Sequence, residues 1–227
     1  IILYGSFFIV RPEVVAPSLR DAVPSGTPSI FPLLFVTIAC GAISGFHGVV
    51  ASGTSSKQLD KETDARFVGY FGAVGEGLLA LGTIVATTAG FKSLATWEEI
   101  YNEWNAGGVD AFIQGGGDLM NEGLGIPTSL SATILATMAV LFAATTMDSG
   151  IRLQRLVVSE MAELAGVKLS GLVATIIAVG CALGLTFSMG LDGSGGMLIW
   201  PLFGTTNQLM AGLTMAILVI IPVSYTH

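Results

Sequence analysis

Glu76 is the single charged residue in an otherwise uncharged apolar stretch, Val68 to Gly90. A carboxylate placed in hydrocarbon is costly, so it is expected to face a cavity, a partner or an ion path, and a proton carrier is its first reading. A second group of unusual residues lies upstream in Cys40-Gly-Ala-Ile-Ser-Gly-Phe-His-Gly48. There Gly41, Ser44, Gly45 and His47 stand where a membrane helix would carry bulky apolar side chains. Such a segment makes a poor continuous helix, and a helix that unwinds at depth exposes backbone groups that survive only against a cavity or a ligand. Transporters use such breaks to hold substrate or ion. At about 1.5 Å per residue from the end nearest the basic connection, Glu76 lies roughly 12 Å deep, Ser44 roughly 14 Å and His47 roughly 9 Å. Glu76 and His47 therefore read as a proton-carrying pair. A third group, Trp200-Pro-Leu-Phe-Gly-Thr-Thr-Asn-Gln208, carries Pro201 and Gly204, which weaken a helix, and brings the amides of Asn207 and Gln208 to mid-membrane. Those amides suit a carboxylate or a peptide group.

Each group has a plainer structural reading. Gly41, Ser44, Gly45 and Gly48 also form a close-packing face, with His47 a satisfied core residue. Glu76 then hydrogen-bonds a neighbouring helix, and Asn207 and Gln208 bridge two helices. Asp148 reads as a helix N-cap that also pairs with Arg152 one turn on. Cys40 enters only as the first residue of its segment, because neither it nor Cys181 has the spacing of a redox or metal motif.

These residues need long apolar elements to position them. Of the 227 residues, 52% are apolar and 11% charged, against roughly 25% charged in an average soluble domain. The stretches 30–53, 68–90, 126–147, 170–190 and 197–220 hold no charge except Glu76. Each is long enough as a helix to cross a hydrocarbon core of about 30 Å. The sequence therefore predicts an all-α polytopic bundle with five complete spans, in one transmembrane domain over 1–220. Ile1 to Val10 reads as a partial span, so the chain is expected to be a piece of a longer protein that lacks its N-terminal spans. Residues 221–227, with no cationic anchor, read as a doubtful tail.

Between the spans, Asp21 to Ser29 reads as a turn-forming loop. Leu94 to Trp104 reads as a short helix lying in the membrane interface, anchored by Trp97, Tyr101 and Trp104. Gly115 to Asp118 reads as flexible and solvated, with Asp118 and Glu122 short of Ca²⁺ ligand spacing. Asp148 to Gly166, with Ile151, Leu156, Val157, Met161 and Leu164 at helical spacing, reads as an amphipathic cytoplasmic helix. Lys57, Lys61 and Arg66 fall in one connection and Arg152, Arg155 and Lys168 in another, whereas Ala95 to Gly125 has acids and no base. The basic connections are accordingly assigned to the cytoplasm. The net charge of −7 disfavours nucleic acid.

Enzyme motifs fail. Gly48 to Gly53 has the glycine spacing of a phosphate loop, but Thr54 stands where its lysine belongs. Ala42-Ile-Ser-Gly45 departs from the Gly-x-Ser-Gly of an intramembrane serine hydrolase, and His47 is too near in sequence to serve as its base. No His, Cys and acid cluster has metal spacing, and no cofactor is implied. An intramembrane hydrolase and a structural or sensory membrane subunit remain the rival readings.

At the same residues the sequence resembles the carbon starvation protein A family of prokaryotic inner-membrane transporters. The resemblance runs from Phe31 to His47 (FPLLFVTIACGAISGFH), through Ser52 to Lys57 and Gly69-Tyr70 to Glu76. It returns at Asp148 and Gly150, then at Trp200 to Gly204 with Asn207-Gln208 and Ala211-Gly212. It implies secondary uptake of peptides or pyruvate in carbon starvation, driven by protons. It also implies an architecture similar to the amino acid, polyamine and organocation transporters, with inverted repeats and broken helices.

Overall fold

The computed structural model describes the chain apart from residues 21, 25, 26, 28, 34–39, 103–107, 192, 226 and 227; the side chains of 32, 33, 40, 197 and 222–225 also lie outside the description. Among the described residues every regular element is helical. The chain divides into two units, one of residues 1–27 and 61–144, the other of residues 28–60 and 145–227.

In the first unit, α1 (Ile2–Val10) packs on α5 (Glu62–Ala89) and α7 (Gly108–Leu124). Ala86, Phe112, Met120 and Leu135 form its core, with Leu3, Ile113 and Ile126 against them. Truncating a core residue such as Met120 or Leu135 to alanine costs about 2–5 kcal/mol. The segment expected to be a flexible loop at Gly115 to Asp118 is instead the middle of α7, and Gly115, Gly116 and Gly117 are buried. A β-carbon at Gly115 would overlap the Ala86 carbonyl oxygen. The glycines there let two backbones touch, whereas a glycine run read in isolation suggests only freedom.

Between them, α6 (Leu94–Ile100) is the short helix expected over Leu94 to Trp104, though Trp104 lies outside the described residues. Trp97 is no free interfacial anchor, because it is buried against Phe91 and Ala111. Its indole N–H donates to the Thr87 carbonyl at 3.0 Å, its ring stacks on Tyr101 and the Arg20 guanidinium lies 5.2 Å from its centre. Packing and a satisfied N–H hold it inward.

The second unit contains the stretch expected to break. Over 30–53 the described elements are α2 (Ile30–Leu33), α3 (Cys40–Ala42) and α4 (Gly45–Gly53), separated at Ile43 and Ser44. A 3₁₀ turn at Ser55–Gln58 follows α4. Later come α9 (Gly171–Thr186), whose Ser170 side chain accepts from the Val173 amide, a 3₁₀ turn at Ser194–Leu198, and α10 (Trp200–Tyr225).

One helix runs through both units. α8 (Thr128–Leu164) is 37 residues long and continuous where a span was expected to end at 147 and a cytoplasmic helix to begin at 148. Asp148 is thus inside a helix and not its N-cap. The sequence Asp148-Ser-Gly150 looks like a cap, but no proline follows it, and a single glycine costs a helix only about 1 kcal/mol.

Glu62–Ala89, Thr128–Leu164 and Trp200–Ile221 are long and apolar enough to cross a membrane, while Gly171–Thr186 is apolar but shorter. Their outer faces carry large apolar side chains in the open, among them Phe67, Tyr70, Leu141, Ile176 and Ile217. Apolar helices with such faces, their backbone groups satisfied internally, mark a membrane protein.

Candidate functional site

The break in the second unit is built by Ser44. Its backbone is extended, with φ −95° and ψ 117°, and its hydroxyl oxygen accepts from the His47 amide at 3.3 Å. That makes Ser44 the N-cap of α4, satisfying one of the amides a helix start leaves without a partner. The next such amide goes to a different helix. Phe46 N–H donates to Oδ1 of Asn207 at 2.6 Å, and the Ser44 hydroxyl donates to the same oxygen at 3.2 Å. Asn207 is 2% exposed. Deleting its side chain would leave the Phe46 amide without that acceptor, a loss worth about 1–3 kcal/mol for a buried donor.

Close approach makes this joint possible. A β-carbon on Gly45 would overlap the Asn207 carbonyl oxygen and lie 2.5 Å from the Ala211 backbone nitrogen. One on Gly48 would lie 3.3 Å from the Thr214 side chain. Gly204, Asn207 and Ala211 are buried, spaced as successive positions on one helix face. Gly204 therefore lies along the packed row. α10 begins at Trp200, which puts Pro201 in its first turn, where a missing N–H breaks no helical bond. Neither residue interrupts the helix, contrary to the weakening expected of them.

Gln208 is half-buried beside this row, and its Nε2 is buried with no hydrogen-bond partner. His47 is exposed, its ring edge-on to Phe46 at 5.7 Å. Gly41 is exposed with open space about its α-carbon, and α3 places the backbone of Cys40 just before the break. The Phe46 ring approaches α8, since a β-carbon on Gly150 would stand 3.8 Å from its tip. One turn away, Asp148 and Arg152 form the expected pair at 3.0 Å, both exposed. Ser44, Gly45, Asn207 and Gly150 thus gather around Phe46, which carried no signal of its own in the sequence.

Glu76 belongs to the first unit, on α5, where it is exposed and makes no hydrogen bond or ion pair among the described residues. The neighbouring Gly75 and Gly77 likewise meet nothing within 4 Å. Glu76 and His47 belong to different units.

The first unit also holds a polar cavity of about 650 Å³, lined by Glu13, Lys92, Asp118, Asn121 and Glu122 among others. Burial pushes the Asp118 carboxyl above its ordinary range; Lys92 opposes that shift and Glu122 adds to it. A loop at 115–118 would not form this cavity; the helical period carried by Phe112, Ile113, Leu119 and Met120 is the signal for α7, whose Asp118, Leu119, Asn121 and Glu122 line it.

Among known proteins, the family model described as "Carbon starvation protein CstA" matches residues 1–102 and 90–226. The chain is 27% identical over 275 residues to the "Peptide transporter CstA" of Helicobacter pylori, covering 97% of this chain and 40% of that protein. It is 28% identical over 273 residues to the "Peptide transporter CstA" of Escherichia coli, covering 94% of this chain and 38% of the relative. Over 84 residues it is 42% identical to the "Pyruvate/proton symporter BtsT" of Escherichia coli, covering 35% of this chain and 12% of the relative. The chain spans about two fifths of the length of the relatives that it matches nearly end to end. No solved structure matches it.

Proposed function

The chain belongs to the carbon starvation protein CstA family, and on that premise we propose that it contributes to a secondary active transporter carrying peptides or pyruvate across the inner membrane in carbon starvation, coupled to protons. Relatives named for peptide transport and for pyruvate/proton symport support the two solute classes and the coupling ion. In this reading residues 1–220 form one transmembrane domain of five spans plus a partial first. The span over 30–53 is broken, the architecture is similar to the amino acid, polyamine and organocation transporters, and further spans of the full-length protein complete the bundle in the lipid bilayer.

The observation that carries the proposal is the joint between α4 and α10. A span broken at depth leaves backbone amides that lipid cannot satisfy. Here a buried side chain of another helix accepts one of them, and an adjacent amide group remains unpartnered. The solute lies at the segment Cys40, Gly41, Ser44, Gly45 and His47 and the amides of Asn207 and Gln208. Pro201 and Gly204 set the start and packing of α10, while the Asp148–Arg152 pair serves structure or gating. Transport is favoured over hydrolysis because the Ser44 hydroxyl hydrogen is committed to Asn207, a neutral amide that cannot act as the base a nucleophile needs.

Glu76 carries the coupling proton, with His47 as its partner group. An ionised carboxylate on a membrane helix requires a partner or a hydrated path, and Glu76 is the carboxyl on the stretch 68–90. The test is uptake of labelled dipeptides and of labelled pyruvate by vesicles holding the full-length protein under an imposed proton gradient. Glu76→Gln is expected to abolish accumulation while leaving the protein folded. Unchanged accumulation would remove Glu76 from the mechanism, and no uptake of either solute by the unaltered protein would remove transport itself.

A further inference from the structure

We infer that the two neighbouring amides of α10 do different work: Asn207 is a positioning residue that caps α4, and Gln208 is the donor left for the carboxylate of the solute. The inference rests on the transport reading and divides the labour within its site.

Asn207 acts as an acceptor. Its Oδ1 takes hydrogen bonds from the Phe46 amide and the Ser44 hydroxyl, which occupies both lone pairs of that oxygen. Its backbone oxygen lies where Gly45 has no side chain, so α10 and the start of α4 are held as one piece. What the start of α4 takes from position 207 is thus an oxygen. Gln208 presents the opposite chemistry. Its Nε2 carries two donors and no acceptor, and it is buried without a partner. Buried donors are nearly always paired, and one in a membrane protein is a particular anomaly. The missing partner must be an acceptor. A peptide and pyruvate share one strong acceptor, a carboxylate, and a donor amide beside the break suits it whichever of the two is carried.

The experiment uses the full-length protein reconstituted in vesicles, with uptake kinetics and thermal unfolding of the same preparations. Solutes are a labelled dipeptide with its C-terminal amide, and labelled pyruvate with pyruvamide; whichever pair is transported identifies the source of the carboxylate. Asn207→Asp keeps an acceptor oxygen for the Phe46 amide and, at a pH low enough to keep its buried carboxyl neutral, is expected to melt above Asn207→Ala. Asn207→Ala is expected to unfold at lower temperature and lose maximal rate at unchanged KM. Gln208→Leu and Gln208→Met, which both remove the donor, are expected to melt no lower than wild type. Each should raise KM for the carboxylate solute about tenfold, the worth of one hydrogen bond to a charged group, and erase the preference for acid over amide.

The division of labour is overturned if Asn207→Ala raises KM as the Gln208 variants do, since Asn207 would then be a solute contact, or if Asn207→Asp with its carboxyl neutral melts no higher than Asn207→Ala. It is equally overturned if either Gln208 variant keeps the wild-type KM and acid preference, or if both unfold, since Gln208 would then hold the fold. Absence of uptake by the unaltered protein is a different failure, and it takes the transport reading down with the inference.

Discussion

Gly45 leaves no room for a side chain, because its α-carbon faces the backbone of α10 at Asn207 and Ala211. Gly41, four residues earlier, meets nothing within 4 Å. Gly45→Ala is therefore expected to lower the melting temperature of the detergent-solubilised protein, by an overpacking cost of about 1–3 kcal/mol, and Gly41→Ala to leave it unchanged. Equal melting of the two variants would contradict the close contact. Asp118 gives a second residue-level expectation, in a connection outside the apolar spans. Burial holds its carboxyl above the ordinary carboxylate range, with Lys92 opposing and Glu122 reinforcing. The folded protein thus keeps this proton to higher pH than the unfolded chain does. Its contribution to stability is present below the ordinary value of 3.8 and is lost as pH rises through the raised folded value. Melting curves from about pH 4 to pH 7 should show that loss, and Asp118→Asn should flatten it; an unchanged profile in the variant would assign the dependence elsewhere. Ser44, Gly45, Asn207 and Gln208 were all legible by type, because small and amide residues are conspicuous in an apolar stretch. Their pairing was not, since Phe46 and Asn207 stand 161 positions apart and no periodicity reports so distant a contact.

At the scale of elements, the charge-free stretches 68–90, 126–147 and 197–220 coincide with helices long enough to cross a membrane, whereas 170–190 holds a shorter helix and 30–53 only short pieces among the described residues, two of them parted within the glycine-rich run from Gly41 to Gly48. Boundaries were harder to read. α8 passes through Asp148 without ending, and the i,i+4 pair with Arg152 sits on a continuous helix, not at a cap. Gly115 to Asp118 alone reads as flexible because its glycines, two of which pack against Ala86 and Leu135, have the composition of a loop. Arrangement across the bilayer follows from the connections. Reporter fusions after Lys61 and after Lys168 are expected on the cytoplasmic side, and fusions near Lys92 and Gly125 on the other. The same side for all four would overturn the assignment by basic residues.

For the whole molecule, three helices of membrane-crossing length among the described residues and a family match over 1–102 and 90–226 place the chain in the membrane-embedded carbon starvation protein CstA family. Composition argues against a soluble globule, and the resemblance at Phe31 to His47 points to the family. The proposed solute site is the break together with the amides of Asn207 and Gln208, all in one unit. Cys40 stands beside that break, and Cys181 is exposed on α9. The most direct measurement is therefore the rate at which a thiol reagent modifies Cys40 in the full-length protein, followed peptide by peptide, with and without saturating solute. The expected result is that the transported dipeptide or pyruvate slows modification of Cys40 about tenfold, a shift of roughly 1.4 kcal/mol, and leaves Cys181 unchanged. Identical rates at Cys40 under solute that is demonstrably transported would mean that the solute does not reach the break.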